Sequence, residues 1–231
     1  HNIPSKPKCI VFIDADSDMQ SANGGNGKSL TMKSVEHFKQ ICVMDGRLFR
    51  DSKTEGGRFQ WVGVKLDTKF VLIDDTTSGF DFKQLYPKLS GDMEIERKGK
   101  DKFAIPFDRK PKIGITTNYV LPDMDTSTKR RRHVVEFGNY WNHVENRDES
   151  PSDEKHLGKN LFDDFDSKDW NQFFTYGFKA LQHYFIHGLV ESSNQNYLRK
   201  SIKLEIEGKD GDGVVTEWME SFCEESIKKY P

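Results

Sequence analysis

The chain has 231 residues, 31% of them charged and 35% hydrophobic, and its formal net charge is −2. This length accommodates one large α/β domain, or such a domain with a small helical appendage. An aromatic content of 12% argues against a disordered chain. The nearly neutral charge excludes a general polycation, so any contact with nucleic acid must use local basic clusters.

Basic residues are concentrated in two stretches, whereas the cysteines are scattered. The second stretch is 129–132, and the first contains Arg97, Lys98, Lys100, Lys102, Arg109, Lys110 and Lys112. Cys9, Cys42 and Cys223 show no Cys-x-x-Cys spacing, which indicates neither a disulfide framework nor a zinc site. No apolar run is long enough to cross a bilayer and no signal peptide is evident, so we expect a cytoplasmic protein without a membrane partner.

Short apolar runs rich in β-branched residues predict the buried strands of a mainly parallel sheet. They cover 9–13, 70–73 and 113–117, with 134–137 as a candidate fourth strand. Helical patterns separate some of these strands, at 28–43 and at 82–89. Alternating strands and helices predict a three-layer α/β domain.

The remaining segments predict a hairpin and a helical C-terminal region. Two segments within 94–107 flank the turn-like Lys98-Gly99-Lys100-Asp101, which predicts a β-hairpin with a basic tip. From 170 to 189, apolar residues recur at helical spacing and predict an amphipathic helix that packs on a core, and a last helix is expected at 215–228. The predicted organisation is a core over 1–141, an acidic linker over 142–169 and a helical region over 170–231.

Two histidines on the predicted helix have a spacing that can hold a metal. His183 and His187 are four residues apart. No acidic residue lies between them, and their neighbours are aromatic or apolar. Packing is therefore the better interpretation of this pair.

The glycine-rich segment 22–29 (ANGGNGKS) follows the first strand and precedes the first helix. Its glycines let consecutive backbone N–H groups converge on a phosphate, and the helix start adds its positive dipole end. A lysine here reaches the β- and γ-phosphates, and the following hydroxyl binds Mg²⁺. The predicted nucleotide-binding residues are Asn23, Gly24, Gly25, Asn26, Gly27, Lys28, Ser29 and Leu30.

Two features of this segment depart from the pattern G-x-x-x-x-G-K-[ST]. Ala22 replaces the first glycine, and the loop after the strand is longer than usual. The alternative is a flexible Gly/Asn turn before a helix that begins with lysine.

Polar residues at two further strand ends support the nucleotide site. Asp74 and Asp75 follow an apolar strand at the edge where open α/β sheets bind ligands. Asp74 is assigned to Mg²⁺ and Asp75 to the attacking water; the alternative is that the two carboxylates share these roles. Asn118 ends the next strand, where an amide can contact the γ-phosphate or the water. The alternatives are an acidic turn and a turn-forming asparagine.

Taken together, these motifs resemble superfamily 3 helicases, in particular the helicase half of phage and plasmid primase–helicases. The family's phosphate loop often reads G-x-G-x-N-G-K-S; Gly24, Asn26, Gly27, Lys28 and Ser29 match this pattern, and Ala22 departs from it. Other matching features follow in the same order: the acidic strand end at 74–75, the basic hairpin at 94–107, the strand ending in Asn118, Pro122, and the paired arginines at 130–131 before a strand ending in Phe137. The resemblance covers roughly 9–140, and 170–189 resembles the family's trailing helical region.

The resemblance implies a P-loop NTPase motor that assembles into a homo-hexameric ring and binds ATP with Mg²⁺ between subunits. A neighbour's arginine would reach the γ-phosphate, with Arg131 as first choice, Arg130 as second and Arg132 as a third candidate. Lys98, Lys100 and Lys102 would line the ring's channel and bind single-stranded DNA through its backbone. The family's primase half is not in this sequence, so we expect it elsewhere in a longer chain.

Other interpretations of the basic stretches and of the function stay open. The 129–132 cluster also fits a solvated basic turn or a DNA-backbone patch, and the hairpin lysines also fit an exposed, solubilising tip. The leading function is an ATP-driven helicase motor that translocates on single-stranded DNA. The alternatives are a DNA-binding ATPase switch, such as an initiator or loader that does not unwind, and a P-loop kinase, for which no arginine-rich lid is recognisable.

Overall fold

Five parallel strands form the central sheet of the chain, whose computed structural model describes residues 7–14, 24–49, 55–121, 125–138, 158–190 and 197. The sheet has the order β2-β3-β6-β1-β7, and a separate antiparallel hairpin consists of β4 and β5. The bounds are β1 (Cys9–Asp14), β2 (Ile41–Asp45), β3 (Phe70–Thr76), β4 (Met93–Arg97), β5 (Lys100–Ile105), β6 (Lys112–Thr117) and β7 (Arg132–Phe137). The fold is therefore mixed α/β with a mainly parallel sheet, and all four predicted strands are present.

Short helices and 3₁₀ turns connect these strands, and one long helix follows them. The 3₁₀ turns cover Ser34–His37, Gly46–Leu48 and Phe82–Leu85, and the helices are α1 (Lys28–Lys33), α2 (Glu55–Arg58), α3 (Tyr86–Ser90), α4 (Thr126–Arg131) and α5 (Ser167–His187). Within the described ranges, no helix combines the length and apolar character needed to cross a membrane.

The second strand corrects the prediction of one helix over 28–43. The helix ends at Lys33 and a 3₁₀ turn follows, after which Ile41–Asp45 pairs in parallel with β3. An apolar run this short fits a helix or a strand equally well by periodicity. Tertiary pairing decides the outcome, because β3 offers a complete set of backbone partners.

The two faces of the sheet pack against different layers. On one face, alternate residues such as Val11, Ile73 and Ile115 are fully buried in the main hydrophobic cluster. Residues from the segments between the strands complete this cluster. On the opposite face, Gly114 lets α1 approach closely, since a Cβ there would lie 2.7 Å from Met32 Sδ. Layers on both faces bury the sheet, which explains its continuous apolar runs.

The strand order creates a crevice at the carboxyl edge between β1 and β6. From β1 the chain crosses to β2 at one end of the sheet, whereas from β6 it passes over β1 to β7 at the other end. Neighbouring strands whose connections leave in opposite directions form a topological switch point, where open α/β sheets bind ligands. The glycine-rich loop leads from this edge into α1.

The first half of α5 is anchored by aromatic packing. Asp166 caps the helix through the backbone N–H groups of Lys168 and Asp169, so it begins at Ser167 instead of 170. The ring of Phe38 packs against Phe174 at a centroid distance of 5.2 Å.

The second half of α5 contradicts the prediction that this helix packs on a core along its length. Phe185 and Ile186 are 77% and 68% exposed. His183 and His187 lie on the same exposed half, with ring centroids 4.4 Å apart, so packing does not explain that pair. The linker before 158 and the predicted helix at 215–228 lie outside the described residues.

Candidate functional site

A cavity of about 380 Å³ lies at the carboxyl edge of the sheet, at the switch point between β1 and β6. Its lining brings together Gly24, Gly25, Asn26, Gly27, Lys28, Ser29, Arg47, Asp74, Asp75, Thr116, Thr117 and Asn118. A larger hollow of about 570 Å³ is lined by residues of α5 alone, so it is a helix surface and not a cleft between elements. The three sequence signals therefore converge on one cavity.

The glycine-rich loop adopts a backbone conformation that requires its glycines. Gly25 and Gly27 have φ values of 92° and 86°, which residues with a Cβ rarely adopt. Gly27 is also the N-cap of α1, and its carbonyl accepts from Thr31 N–H at 2.9 Å. Leu30 lies within α1 and is partly buried, whereas Asn23 lies outside the described residues.

Asp14, at the end of β1, holds two residues of the loop. Its Oδ1 lies 2.5 Å from Lys28 Nζ and accepts from Asn26 Nδ2 at 2.8 Å. All three side chains are buried. A buried ion pair with an additional hydrogen bond fixes its members in one geometry, because each charge needs its partner away from water. Asp14 therefore orients the lysine at the mouth of the loop.

Asp74 joins the loop to the neighbouring strands. Its Oδ1 accepts from Ser29 Oγ and from Thr116 Oγ1, each at 2.6 Å, and its Oδ2 lies 2.9 Å from Lys33 Nζ. Burial by itself would raise the pKa of Asp74. The hydrogen bonds from Ser29 and Thr116, together with Lys33, outweigh burial and hold that pKa below its usual value. The carboxylate is therefore anionic at neutral pH.

Asp75 lines the same cavity as Asp74 because the strand is irregular at this position. Pairing between β3 and β6 shifts register between Ile73 and Thr76, and Asp75 has a φ of 58°. Its backbone N–H donates to Thr116 Oγ1 at 2.9 Å. Aspartate tolerates the left-handed region better than most residues do. Strained backbone conformations are enriched at functional sites. Consecutive carboxylates thus both face the cavity, which regular strand alternation would not allow.

The end of β6 lies between the two sides of the cavity. Because β6 is flanked by β1 and β3, its last residues lie between the end of the strand that leads into the glycine-rich loop and the strand that carries the aspartates. Thr117 Oγ1 donates to Thr76 O at 3.2 Å and ties β6 to β3. Asn118 follows directly and lines the cavity.

The cavity offers oxygen ligands suited to Mg²⁺. Ser29 Oγ and Asp74 Oδ1 are in hydrogen-bond contact, so one hard cation near them would meet a hydroxyl and a carboxylate together. No group of three or more His, Cys, Asp or Glu residues forms a metal cage in the part of the chain that the structure describes. Mg²⁺ usually takes one or two carboxylates, with substrate phosphates and waters, so this donor set fits it.

Arg130 and Arg131 lie at the opposite edge of the sheet. They end α4 immediately before β7, whose first residue Arg132 pairs with Cys9, the first residue of β1. A strand of six residues spans about 17–20 Å, so neither arginine reaches the cavity of its own chain. Neither arginine can therefore contact a phosphate that is bound in this cavity.

The three arginines differ in how firmly their own chain holds them. Arg132 is buried, donates to Leu121 O at 3.2 Å and lies over the ring of Phe82 at 5.4 Å, which makes it a structural residue. Arg131 is partly exposed, donates to Ser90 Oγ at 3.1 Å and lies over the ring of Tyr86 at 4.4 Å. Arg130 is exposed. Arg132 thus stabilises its own fold, whereas Arg131 and Arg130 are accessible at the surface.

The hairpin projects from the same edge as these arginines. Met93, Ile95 and Ile105 bury its base, and the turn at its tip uses Gly99 with a φ of 68°. The tip lysines, Lys98, Lys100 and Lys102, are all exposed, and Lys102 Nζ lies 3.5 Å from Glu94 Oε2.

Sequence reasoning missed Asp14, Arg47, Lys33 and the threonines of β6. Asp14 was a readable signal, because it ends the strand that leads to the loop, as Asp74 ends another. Arg47 gave no readable signal, since β2 was assigned to a helix.

No protein-family model matches the chain, and no curated protein does. Among solved structures, the chain is similar to two that are described as the A form apo structure of the NrS-1 C-terminal region. One match covers 61% of this chain and 31% of that structure at 17% identity, with a TM-score of 0.37. The other covers 96% of this chain and 51% of that structure at 13% identity, with a TM-score of 0.43. The chain thus spans about half or less of these structures, and likeness at this level carries no argument about its activity.

Proposed function

We propose that this chain is the ATP-hydrolysing motor of a superfamily 3 DNA helicase, with the three-layer architecture of a P-loop NTPase. The observation that carries the proposal is the convergence of Lys28, Ser29, Asp74 and Asn118 on one cavity. These residues come from three segments far apart in sequence, and each is the type that phosphate or Mg²⁺ chemistry needs at its place.

The proposed site divides the work of phosphoryl transfer among its residues. The loop N–H groups and Lys28 would hold the phosphates, while Ser29 and Asp74 would hold Mg²⁺. The metal would neutralise charge that develops on the phosphate oxygens. Asp75 and Asn118 orient the attacking water, whose oxygen forms the new bond to the γ-phosphorus as the bond to the β–γ bridging oxygen breaks. One proton of that water passes to a nearby acceptor, for which Asp75 is the candidate.

In this proposal, Asp14 prepares Lys28 for the nucleotide. Its ion pair with Lys28 keeps the lysine ordered before a nucleotide arrives. The phosphates then share or replace Asp14 as the partner of the ammonium. Such preorganisation lowers the entropy cost of binding.

We infer that the catalytic unit is a ring, with DNA in its channel. Arg131, or Arg130, lies too far from its own cavity and would complete the site of the adjacent subunit, in a homo-hexamer. The hairpin at the same edge would present Lys98, Lys100 and Lys102 to single-stranded DNA. A primase domain in the same full-length chain and the division into 1–141, 142–169 and 170–231 remain proposals of the same kind.

Steady-state ATP hydrolysis, measured with and without single-stranded DNA, tests this function. We expect Mg²⁺-dependent hydrolysis that DNA stimulates and that Lys28→Ala abolishes. The matched control is Lys39→Ala, which removes an exposed lysine outside the cavity. Phosphate transfer to a nucleoside instead of water would favour the kinase alternative, and stimulated hydrolysis without strand displacement by the assembled ring would favour the initiator or loader.

A further inference from the structure

A three-residue turn after β2 brings an arginine into the wall of the cavity. Asp45 ends β2 and caps the turn, accepting from the backbone N–H of Arg47 at 2.9 Å. The same carboxylate accepts from the guanidinium, with Nε donating to Oδ1 at 3.0 Å and Nη2 donating to Oδ2 at 3.1 Å. This bidentate pair fixes the plane of the guanidinium as well as its position.

The turn itself is locked against the strand that carries the aspartates. A Cβ at Gly46 would lie 2.7 Å from Asp74 O and 2.8 Å from Thr76 N, so only glycine fits there. Asp45 also pairs with Asp74 in the β2–β3 register. The position of Arg47 is therefore coupled to the backbone of the proposed metal-binding aspartate.

The aspartates in this wall of the cavity need basic neighbours if the cavity is to bind an anionic ligand. Asp45, Asp74 and Asp75 together would repel a polyphosphate. Lys33 lies 2.9 Å from Asp74, and Arg47 Nε lies 3.8 Å from Asp75 Oδ2. Arg47 is thus adjacent to Asp75, the residue assigned to the attacking water.

The order of strands indicates which phosphate Arg47 would meet. A polyphosphate in this cavity would meet the loop and Lys28 from the β1 side, and Arg47 from the β2 side, beyond β6 and β3. The loop would hold the inner phosphates, so the phosphate that faces Asp75 and the attacking water would be the terminal one. A guanidinium has five N–H donors, so a phosphate oxygen can be bound while the Asp45 pair is kept.

We propose that Arg47 binds the terminal phosphate of a nucleoside triphosphate within its own subunit and makes the cavity distinguish a triphosphate from a diphosphate. This inference rests on the proposed function, since it assumes that the cavity binds a nucleotide. Arg47 acts in cis and is separate from the arginine that a neighbouring subunit would supply. Asp45 is the positioning residue.

Equilibrium binding of a non-hydrolysable ATP analogue and of ADP, each with Mg²⁺, tests the assignment without requiring turnover. We expect Arg47→Ala to weaken binding of the triphosphate about 10- to 100-fold, the scale of one charged hydrogen bond, and to change ADP binding less than about twofold. Arg47→Lys should recover part of the loss. Asp45→Asn should produce a smaller loss in the same direction, because the guanidinium is then less well oriented.

The control variant is Arg58→Ala, which removes another exposed arginine paired with a carboxylate, Glu96 at 2.9 Å, outside the cavity. It should leave both affinities unchanged, and thermal unfolding should match the wild type for every variant. Equal weakening of both nucleotides by Arg47→Ala, or no weakening, would overturn the assignment while leaving the nucleotide site intact. If the wild-type protein bound neither nucleotide, the proposed function itself would fail.

Discussion

The two edges of the parallel sheet both carry clustered basic residues, but they use them differently. At the carboxyl edge, Lys28, Lys33 and Arg47 each contact an aspartate around one cavity. At the amino edge, Arg132 is buried, whereas Arg130 and the hairpin lysines Lys98, Lys100 and Lys102 are exposed to solvent. The comparison teaches that convergence distinguishes a site from a basic surface, since a phosphate needs several donors at short range.

The amino edge also contains a lysine that is fully engaged inside the fold. Lys110 Nζ donates to the carbonyl oxygens of Lys88, Leu89 and Gly91, at 2.8, 2.8 and 2.7 Å. These carbonyls end or follow α3 and otherwise lack helical partners. A lysine in a basic stretch can therefore be a structural cap, and the sequence does not separate it from the DNA-binding candidates beside it.

The largest effect is expected from a variant that tests whether an arginine at the amino edge of one subunit completes the cavity at the carboxyl edge of its neighbour. Arg131→Ala should reduce hydrolysis by about 10³- to 10⁵-fold, the scale of an arginine supplied in trans. Mixing Arg131→Ala subunits with Lys28→Ala subunits should restore part of the activity. Restoration follows because some interfaces then join an intact loop to an intact arginine. Hydrolysis rates of the mixtures, measured across mixing ratios, provide the check.

Arg130→Ala is the matched control for that experiment. A stronger effect at Arg130 than at Arg131 would exchange their roles. If Arg131→Ala were inactive and no mixing ratio restored activity, the two edges would not meet in the assembly.

A smaller effect is expected at the carboxyl edge itself. Asp74→Asn should reduce hydrolysis by about 10²- to 10³-fold, because a neutral amide loses the charge that binds Mg²⁺ and the pairing with Lys33. Titration of the rate with Mg²⁺ should show a weaker apparent affinity for the metal. Asp67→Asn, at an exposed position before β3, should behave as the wild type. An Asp74→Asn enzyme with unchanged Mg²⁺ dependence would count against the metal assignment.

The hairpin should affect DNA binding and leave the cavity unchanged. Replacing Lys98, Lys100 and Lys102 together with alanine should lower the slope of log affinity against log salt by about 2. Affinity for single-stranded DNA should fall accordingly, with hydrolysis in the absence of DNA unaffected. The measurement is fluorescence anisotropy of labelled DNA at several salt concentrations.

A control with the same loss of charge replaces Lys39, Lys65 and Lys69, which are exposed elsewhere on the molecule. If both triple variants lost the same salt dependence, the effect would be one of net charge and the hairpin would have no special role.

The smallest expected effect concerns stability. Lys110→Met should lower the free energy of unfolding by about 1–3 kcal/mol, because buried carbonyls lose a donor. Urea unfolding would measure this, with Lys100→Met as the exposed control. Unchanged stability would show that water replaces the lysine.

The pH dependence of the free energy of unfolding, compared between the wild type and Lys110→Met, gives a second measurement. Burial, with a smaller contribution from Lys112, lowers the pKa of Lys110 from 10.5 to about 8. The native state then binds this proton less tightly than the unfolded chain does. Wild-type stability should therefore gain a contribution as pH rises from about 8 towards 10.5, and Lys110→Met should lack that contribution.

The sequence by itself determined much of the fold and most of the candidate site. The strands at 9–13, 70–73 and 113–117 are apolar runs rich in β-branched residues, and each is followed by the polar residues that its carboxyl end brings to the cavity. The glycine-rich loop was readable because its glycines are required by local backbone geometry. Chemistry that depends on local sequence could thus be predicted locally.

Tertiary structure alone decided the rest. Residues 41–45 became a strand because β3 offers backbone partners, and only then did Arg47 reach the cavity. The role of each basic residue depended on what faces it: carbonyls for Lys110, an aromatic ring and a carbonyl for Arg132, and solvent for Lys100. Pairing and burial join residues that are distant in sequence, and a local pattern holds no information about such partners.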